Sequence, residues 1–175
     1  MDVRDWLEKT TATEIMIRDV VTLVSGDMVA QAAGIFLREQ ISGAPVIDQN
    51  GACLGVLSAS DIIGAEGKVA DEARKIAESS FWNSNLALPA SIYAEKLADL
   101  RDKIAPAAEQ PVERFMTTDQ VSVSEDTPLA TVVQYMVDAH IHRILVVGAE
   151  NRLLGIISTT DVLAALLRCK LDQES

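Results

Sequence analysis

Gly55-Val56-Leu57-Ser58-Ala59-Ser60-Asp61 returns 100 positions later as Gly155-Ile156-Ile157-Ser158-Thr159-Thr160-Asp161. The register holds without a gap on both sides of the motif. Laying residues 13–65 on 113–165 aligns identical residues at Met16/Met116, Asp19/Asp119, Val21/Val121, Ala30/Ala130, Ile41/Ile141, Val46/Val146, Leu54/Leu154, Gly55/Gly155, Ser58/Ser158, Asp61/Asp161 and Ala65/Ala165. Chance alone predicts about three identities over such a span. Most remaining pairs keep their apolar or polar character. The chain therefore carries two copies of one unit, and its function is to be sought where the copies meet.

A unit of about 55 residues is near the lower limit for folding alone, because so short a chain buries too little surface. In a chain of 175 residues, two such copies sharing one core predict a single pseudo-symmetric globule. Apolar residues make up 49%, yet no run approaches the roughly 20 needed to span a bilayer. The opening Met1-Asp2-Val3-Arg4-Asp5-Trp6 lacks the basic region and apolar stretch of a secretory signal. Cys53 and Cys169 have no metal-ligand spacing, and they read as plain thiols in a reducing cytoplasm. A net charge of −11 argues against a nucleic-acid partner and against an anionic membrane surface. A small anion is still compatible with it, provided a local cation or helix N-terminus offsets the general field.

Each copy reads as strand, helix, strand, turn, strand, helix. In the first, Val20 to Val24 is a β-branched run, and Met28 to Glu39 has apolar residues at helical spacing. Ala44 to Ile47 and Cys53 to Leu57 are strands flanking the turn Asp48-Gln49-Asn50-Gly51, and Ser58 opens a helix to about Glu66. In the second, Val121 to Val123 is a strand, and Thr127 caps a helix whose first residue is Pro128. Arg143 to Val147 and Leu153 to Ile157 are the paired strands, and the helix after Ser158 ends near Cys169. Short continuous apolar runs suit strands covered on both faces. The domain plan is an N-terminal helical segment (1–13), repeat 1 (14–66), a helical insertion (67–111), repeat 2 (112–170) and a tail (171–175). Within the insertion, Ser91 to Ile104 has helical periodicity. Trp6, Phe81, Trp82 and Tyr93 lie outside the repeats, either as staples for these appendages or as a protein contact.

Ser58-x-x-Asp61 and Ser158-x-x-Asp161 carry the sharpest chemical signal. One reading is a capping box, in which Ser caps a helix and the acid reaches back to the cap N–H. Asp is short for that reach, however, and it recurs in both copies at the end of a Gly-apolar-apolar strand. A carboxylate at a sheet edge can also accept hydrogen bonds from vicinal hydroxyls such as those of a ribose. Both roles are open. No Gly-rich phosphate loop and no nucleophile–base set is legible, and His140-x-His142 lacks the further ligands of a metal site. The chain reads as neither an enzyme nor a holder of a catalytic cofactor or metal.

The strand and helix order, the strand Ala44-Pro45-Val46-Ile47-Asp48 and the doubled Gly-x-x-Ser-x-x-Asp resemble a tandem pair of CBS domains, a family named for cystathionine β-synthase. The resemblance covers both repeats but neither the N-terminal segment nor the insertion. It implies an α/β (α+β) fold of two pseudo-symmetric β-α-β-β-α repeats packed sheet to sheet, with adenosine nucleotides bound in the clefts between them. Carried over, it assigns Asp61 and Asp161 to ribose hydroxyls, with Ser58 and Ser158 on the phosphate side. Val20, Val21, Thr22, Gln120, Val121 and Ser122 would frame adenine through backbone groups. His142-Arg143 resembles a basic pair that contacts phosphate in some relatives; alternatively, Arg143 snorkels or pairs with a nearby acid. Ser42-Gly43 stand at those positions in the first copy, where Arg18 is the candidate substitute. Leu145 for Pro45 and Gly148 for Asp48 are departures that make the two clefts unequal, the one with Arg143 being the tighter.

The function implied is a cytoplasmic regulatory module that senses ATP, ADP or AMP and signals through a population shift to a separate effector protein. The same analogy implies a homodimer. The rivals are a ligand-free scaffold or dimerisation unit, and an S-adenosyl or dinucleotide ligand in the same clefts.

Overall fold

A computed structural model describes residues 2–64 and 105–171. The expected insertion helix over 91–104, and Phe81, Trp82 and Tyr93, lie outside the described residues. In chain order the elements are α1 (Val3–Lys9), α2 (Ala12–Ile15), β1 (Leu23–Val24), α3 (Val29–Glu39), β2 (Gly43–Ile47), β3 (Cys53–Ser58) and α4 (Ala59–Gly64). They continue with α5 (Ala105–Ala108), a 3-10 turn (Val112–Arg114), β4 (Ser122–Ser124), α6 (Leu129–Asp138), β5 (Arg143–Val147), a second 3-10 turn (Ala149–Asn151), β6 (Leu153–Ser158) and α7 (Thr159–Leu171).

Each copy makes a three-stranded sheet, in the orders β1-β2-β3 and β4-β5-β6. The first two strands of each are parallel, as a crossover through α3 or α6 requires, and the last two form an antiparallel hairpin. The repeat extends to detail: both hairpins shift register at the same point, Val46/Ile47 and Val146/Val147. The departure at Pro45 also finds its reason here. β1 pairs with β2 only at Val46 and Ile47, whereas β4 pairs with β5 from Leu145 onward. A proline has no N–H for a ladder, so the strand beside it starts one residue later. This is also why the strand expected over Val20 to Val24 is only Leu23–Val24. In the second copy, the helix expected to begin with Pro128 has Pro128 as its N-cap, and Thr127 Oγ1 instead pairs with Ser124 Oγ at 2.9 Å.

The compact units cut across the repeats. One comprises residues 21–120, the other 1–20 together with 121–175; they are called here the Asp61 unit and the Asp161 unit. The segment leading into each repeat thus packs on the other repeat's sheet. In the Asp161 unit, Ile17 exchanges both backbone hydrogen bonds with Ile156, at 2.9 and 3.0 Å; in the Asp61 unit, Thr117 does so with Val56, at 2.8 and 2.9 Å. The same segments cap the first helix of each unit. Thr10 O accepts from Leu129 N–H at 2.8 Å, and Gln110 O accepts from Val29 N–H at 3.0 Å. Those backbone carbonyls satisfy N–H groups that Pro128 and Met28 have no side-chain oxygen to serve.

The glycine of each motif permits the crossing. A Cβ on Gly55 would lie 2.6 Å from Thr117 O, and one on Gly155 would lie 2.7 Å from Met16 Sδ and 2.8 Å from Ile17 O. Among the described residues each unit gathers its own cluster of buried side chains. In the Asp161 unit Ala12, Ile15 and Met16 join Val123, Leu129, Val132, Ile144, Val146 and Ile157. In the Asp61 unit Ala107 and Val112 join Leu23, Val29, Phe36, Val46, Leu57 and Ile62. Trp6 is half-buried against the first of these cores, which is the stapling role.

Candidate functional site

Both Ser-x-x-Asp motifs fold as capping boxes. Asp61 Oδ2 accepts from Ser58 N–H at 2.7 Å and from Ser58 Oγ at 2.6 Å, and Ser58 Oγ in turn accepts from Asp61 N–H at 3.3 Å. In the second copy the corresponding distances are 2.8, 2.6 and 3.3 Å. Aspartate reaches because the strand hands Ser58 and Ser158 directly to the helix, so cap and acid share one tight turn. The cap consumes Oδ2 alone. Asp61 Oδ1 and Asp161 Oδ1 accept no hydrogen bond among the described residues, so each carboxylate keeps an acceptor just past the end of β3 or β6, where β2 or β5 begins.

The two units differ in charge beside this acceptor. Arg143 stands opposite Ser158 in the β5–β6 ladder, half-buried. Desolvation lowers its guanidinium to about 10, partly countered by attraction to Asp161. Cation and carboxylate thus flank the start of α7, whose dipole adds positive potential there. In the Asp61 unit the residue opposite Ser58 is Gly43, and a Cβ there would come within 3.0 Å of Leu57 O. Burial raises the Asp61 carboxyl above its ordinary value, and the hydrogen bonds from Ser58 offset part of this.

The remaining candidates divide as follows. His142 joins the box through its carbonyl, which accepts from Thr159 N–H at 3.0 Å; its Nδ1 lies 3.4 Å from Thr159 Oγ1. Its Nε2 is buried with no partner among the described residues. Arg18 belongs to the Asp161 unit and not to that of Asp61, and its Nη2 donates to Thr13 Oγ1 at 2.9 Å. The six adenine-framing residues straddle the two points where the chain passes between units. Val20, Val121 and Ser122 fall in the Asp161 unit, and Val21, Thr22 and Gln120 in the Asp61 unit. Gln120 Nε2 approaches Cys53 Sγ at 3.8 Å. Ser42, the counterpart of His142 in the first copy, is buried, and its carbonyl accepts from Ala59 N–H beside the first box at 2.8 Å. Among the described residues no group of three His, Cys, Asp or Glu side chains is placed to hold a metal. No described helix is long and apolar enough to cross a membrane.

The chain is similar to an uncharacterized protein of Methanocaldococcus jannaschii, MJ1426, at 26% identity over 88% of this chain and 89% of that one. It is also 26% identical to inosine-5'-monophosphate dehydrogenase of the same organism, covering 87% of this chain but only 23% of the enzyme. Among solved structures, CBSX2 in complex with AMP superposes with a TM-score of 0.62 at 20% identity, covering 91% of this chain and 98% of that one. The CBS domain pair of MJ0100, solved with 5'-methylthioadenosine and S-adenosyl-L-methionine, gives a TM-score of 0.57 at 20% identity, with 92% and 98% covered. The model of the CBS domain family matches residues 12–68 and 112–168, the two copies that the doubled motif marks. The chain belongs to the CBS domain family and carries a tandem pair of its domains.

Proposed function

We propose that this CBS pair is a regulatory module that binds an adenosine nucleotide at its Ser-x-x-Asp boxes and passes occupancy to an effector protein by a shift of conformation. One observation carries the reading: each Asp serves its helix through Oδ2 and keeps Oδ1 as an acceptor for a sugar diol. Arg143 supports a phosphate at the Asp161 unit, since a half-buried cation in a chain of net charge −11 gains most from an anionic ligand. The AMP bound to CBSX2 supports the same class of ligand. A homodimer belongs to the proposal, and sedimentation of the ligand-free chain checks it.

Gly43 favours a second reading for the Asp61 unit. With no side chain opposite Ser58, that box suits an adenosyl compound without phosphate, of the kind held by the MJ0100 pair. Thermal melts with ATP, ADP, AMP and S-adenosylmethionine separate these readings. A ligand at one hundred times its Kd adds about 2.7 kcal/mol, a rise of several degrees. No rise with any of the four would leave the ligand-free scaffold.

A further inference from the structure

We infer that Asn50 is a site of spontaneous covalent modification, converting through a cyclic imide with Gly51 to isoaspartate or aspartate, and that Asp48 holds the rate down. Asn50 and Gly51 lie in the turn that joins β2 to β3. Asn50 is exposed, and Gly51 has no Cβ to shield its backbone nitrogen. The φ of 84 at Gly51 keeps glycine at that position, so the vulnerable pair is built into the hairpin.

The reaction consumes water and needs no other partner. The Gly51 nitrogen attacks Asn50 Cγ; the N–Cγ bond forms, the Cγ–Nδ2 bond breaks, and ammonia leaves with the proton given up by Gly51. Water then opens the ring. Cleavage at Cγ gives aspartate, and cleavage at the Asn50 backbone carbonyl gives isoaspartate, with the chain now running through Cγ. The turn opposes the attack. Gly51 N–H donates to Asp48 O at 3.1 Å, which ties up the nucleophile. Asp48 Oδ1 accepts from Asn50 N–H and from Ala52 N–H, both at 2.8 Å, and so fixes the backbone on either side of the bond that must rotate. The Asp48 charge also disfavours the amide anion through which Gly51 reacts. In the second copy Gly148 replaces Asp48 and Glu150 replaces Asn50, which leaves a single carboxylate among those paired positions. Conversion of Asn50 would put a second carboxylate beside Asp48, and like charges that close repel. The modified chain should therefore melt at a lower temperature.

Peptide mapping of the full chain, incubated at mildly alkaline pH, tests this. Trypsin releases residues 39–68, in which Asn50 is the only asparagine, and residues 144–152, in which Asn151 precedes Arg152. Asn50 is expected to exchange NH2 for OH, read as a mass gain and as two chromatographic isomers, while Asn151 keeps its amide. Asp48→Ala should convert several-fold faster than the original when both are folded, and at the same rate when both are unfolded in urea. An amide intact at Asn50 in the folded chain, over a time in which the chain in urea converts, overturns the site. Equal rates for the two folded chains, or a difference that persists in urea, overturn the role of Asp48 in the turn. A cooperative melt shows whether Asp48→Ala is folded; if it is not, Asp48→Ser, whose hydroxyl oxygen is a weaker acceptor for the same N–H groups, takes its place with the same expected direction.

Discussion

Asp161 divides its labour between two oxygens, and substitutions can separate them. Asparagine keeps one carbonyl oxygen for the cap but loses the charge, whereas alanine loses both. Asp161→Ala should therefore cost about 1–2 kcal/mol of stability as a lost cap, and Asp161→Asn well under half of that. Both should weaken a bound nucleotide by about 1.5–3 kcal/mol, the range for hydrogen bonds to a charged group. Paired melting and titration measurements check this; an Asn variant that binds as tightly as the original would reduce Asp161 to a helix cap. Arg143 lies across the ladder from Ser158, so Arg143→Ala should reduce the affinity for ATP more than that for adenosine. Equal losses would remove it from the phosphate role.

The elements gain part of their stability from positions that no periodicity marks. α3 and α6 both end on a residue in the left-handed region, Gln40 at φ 54 and His140 at φ 53. The next N–H, of Ile41 or Ile141, closes back on Phe36 O or Met136 O at 3.0 Å, the closure of a Schellman motif. Glycine adopts that conformation without a Cβ penalty. Gln40→Gly and His140→Gly should each stabilise by roughly 0.5–1 kcal/mol, visible as a rise of a few degrees. The turn between β1 and α3 depends on charge. Glu113 Oε1 accepts from Ser25 Oγ and Gly26 N–H, both at 2.6 Å, and the Ser25 bond holds the Glu113 carboxyl below its ordinary value of 4.5. A depressed acid contributes stability above its unfolded value and loses it as pH falls through the folded one. Asp61, raised above 3.8 by burial, has the opposite sign: its contribution is present at low pH and is lost as pH rises through its folded value. Glu113→Gln should therefore flatten the fall in melting temperature below about pH 4.5, while Asp61→Asn should steepen it. Melts across pH 3 to 7 read both signs.

At the scale of the whole chain, the doubled motif made the two sheets, the hairpins and the boxes legible, because apolar runs and turn residues act locally. The assignment of the lead-in segments to their sheets was not legible. Met16 and Met116 are identical in type and register, so each suits either core, and the pattern of burial does not say which copy supplies the partner. The same blindness concealed the unit to which Arg18 belongs and the reason for Gly55 and Gly155, which a sequence shows only as glycines at a strand. Ser42 was legible only as the uncharged counterpart of His142; its burial leaves no mark in the sequence. The exchange of segments has a consequence that reverses what repeat boundaries suggest. Ile17 lies in the first repeat by sequence, but its N–H donates to Ile156 O at 2.9 Å, two residues before the box of Asp161. Ile17→Pro removes that donor and should destabilise the Asp161 unit by about 0.5–1.5 kcal/mol, the net worth of one backbone hydrogen bond. Native-state hydrogen exchange should then show weaker protection at Ile156 to Val162, with Val56 to Ile62 unchanged. Thr117→Pro should give the mirror image, since Thr117 N–H donates to Val56 O at 2.8 Å. Loss of protection in the repeat that carries the substitution, and not in the other, would mean that each lead-in serves its own copy.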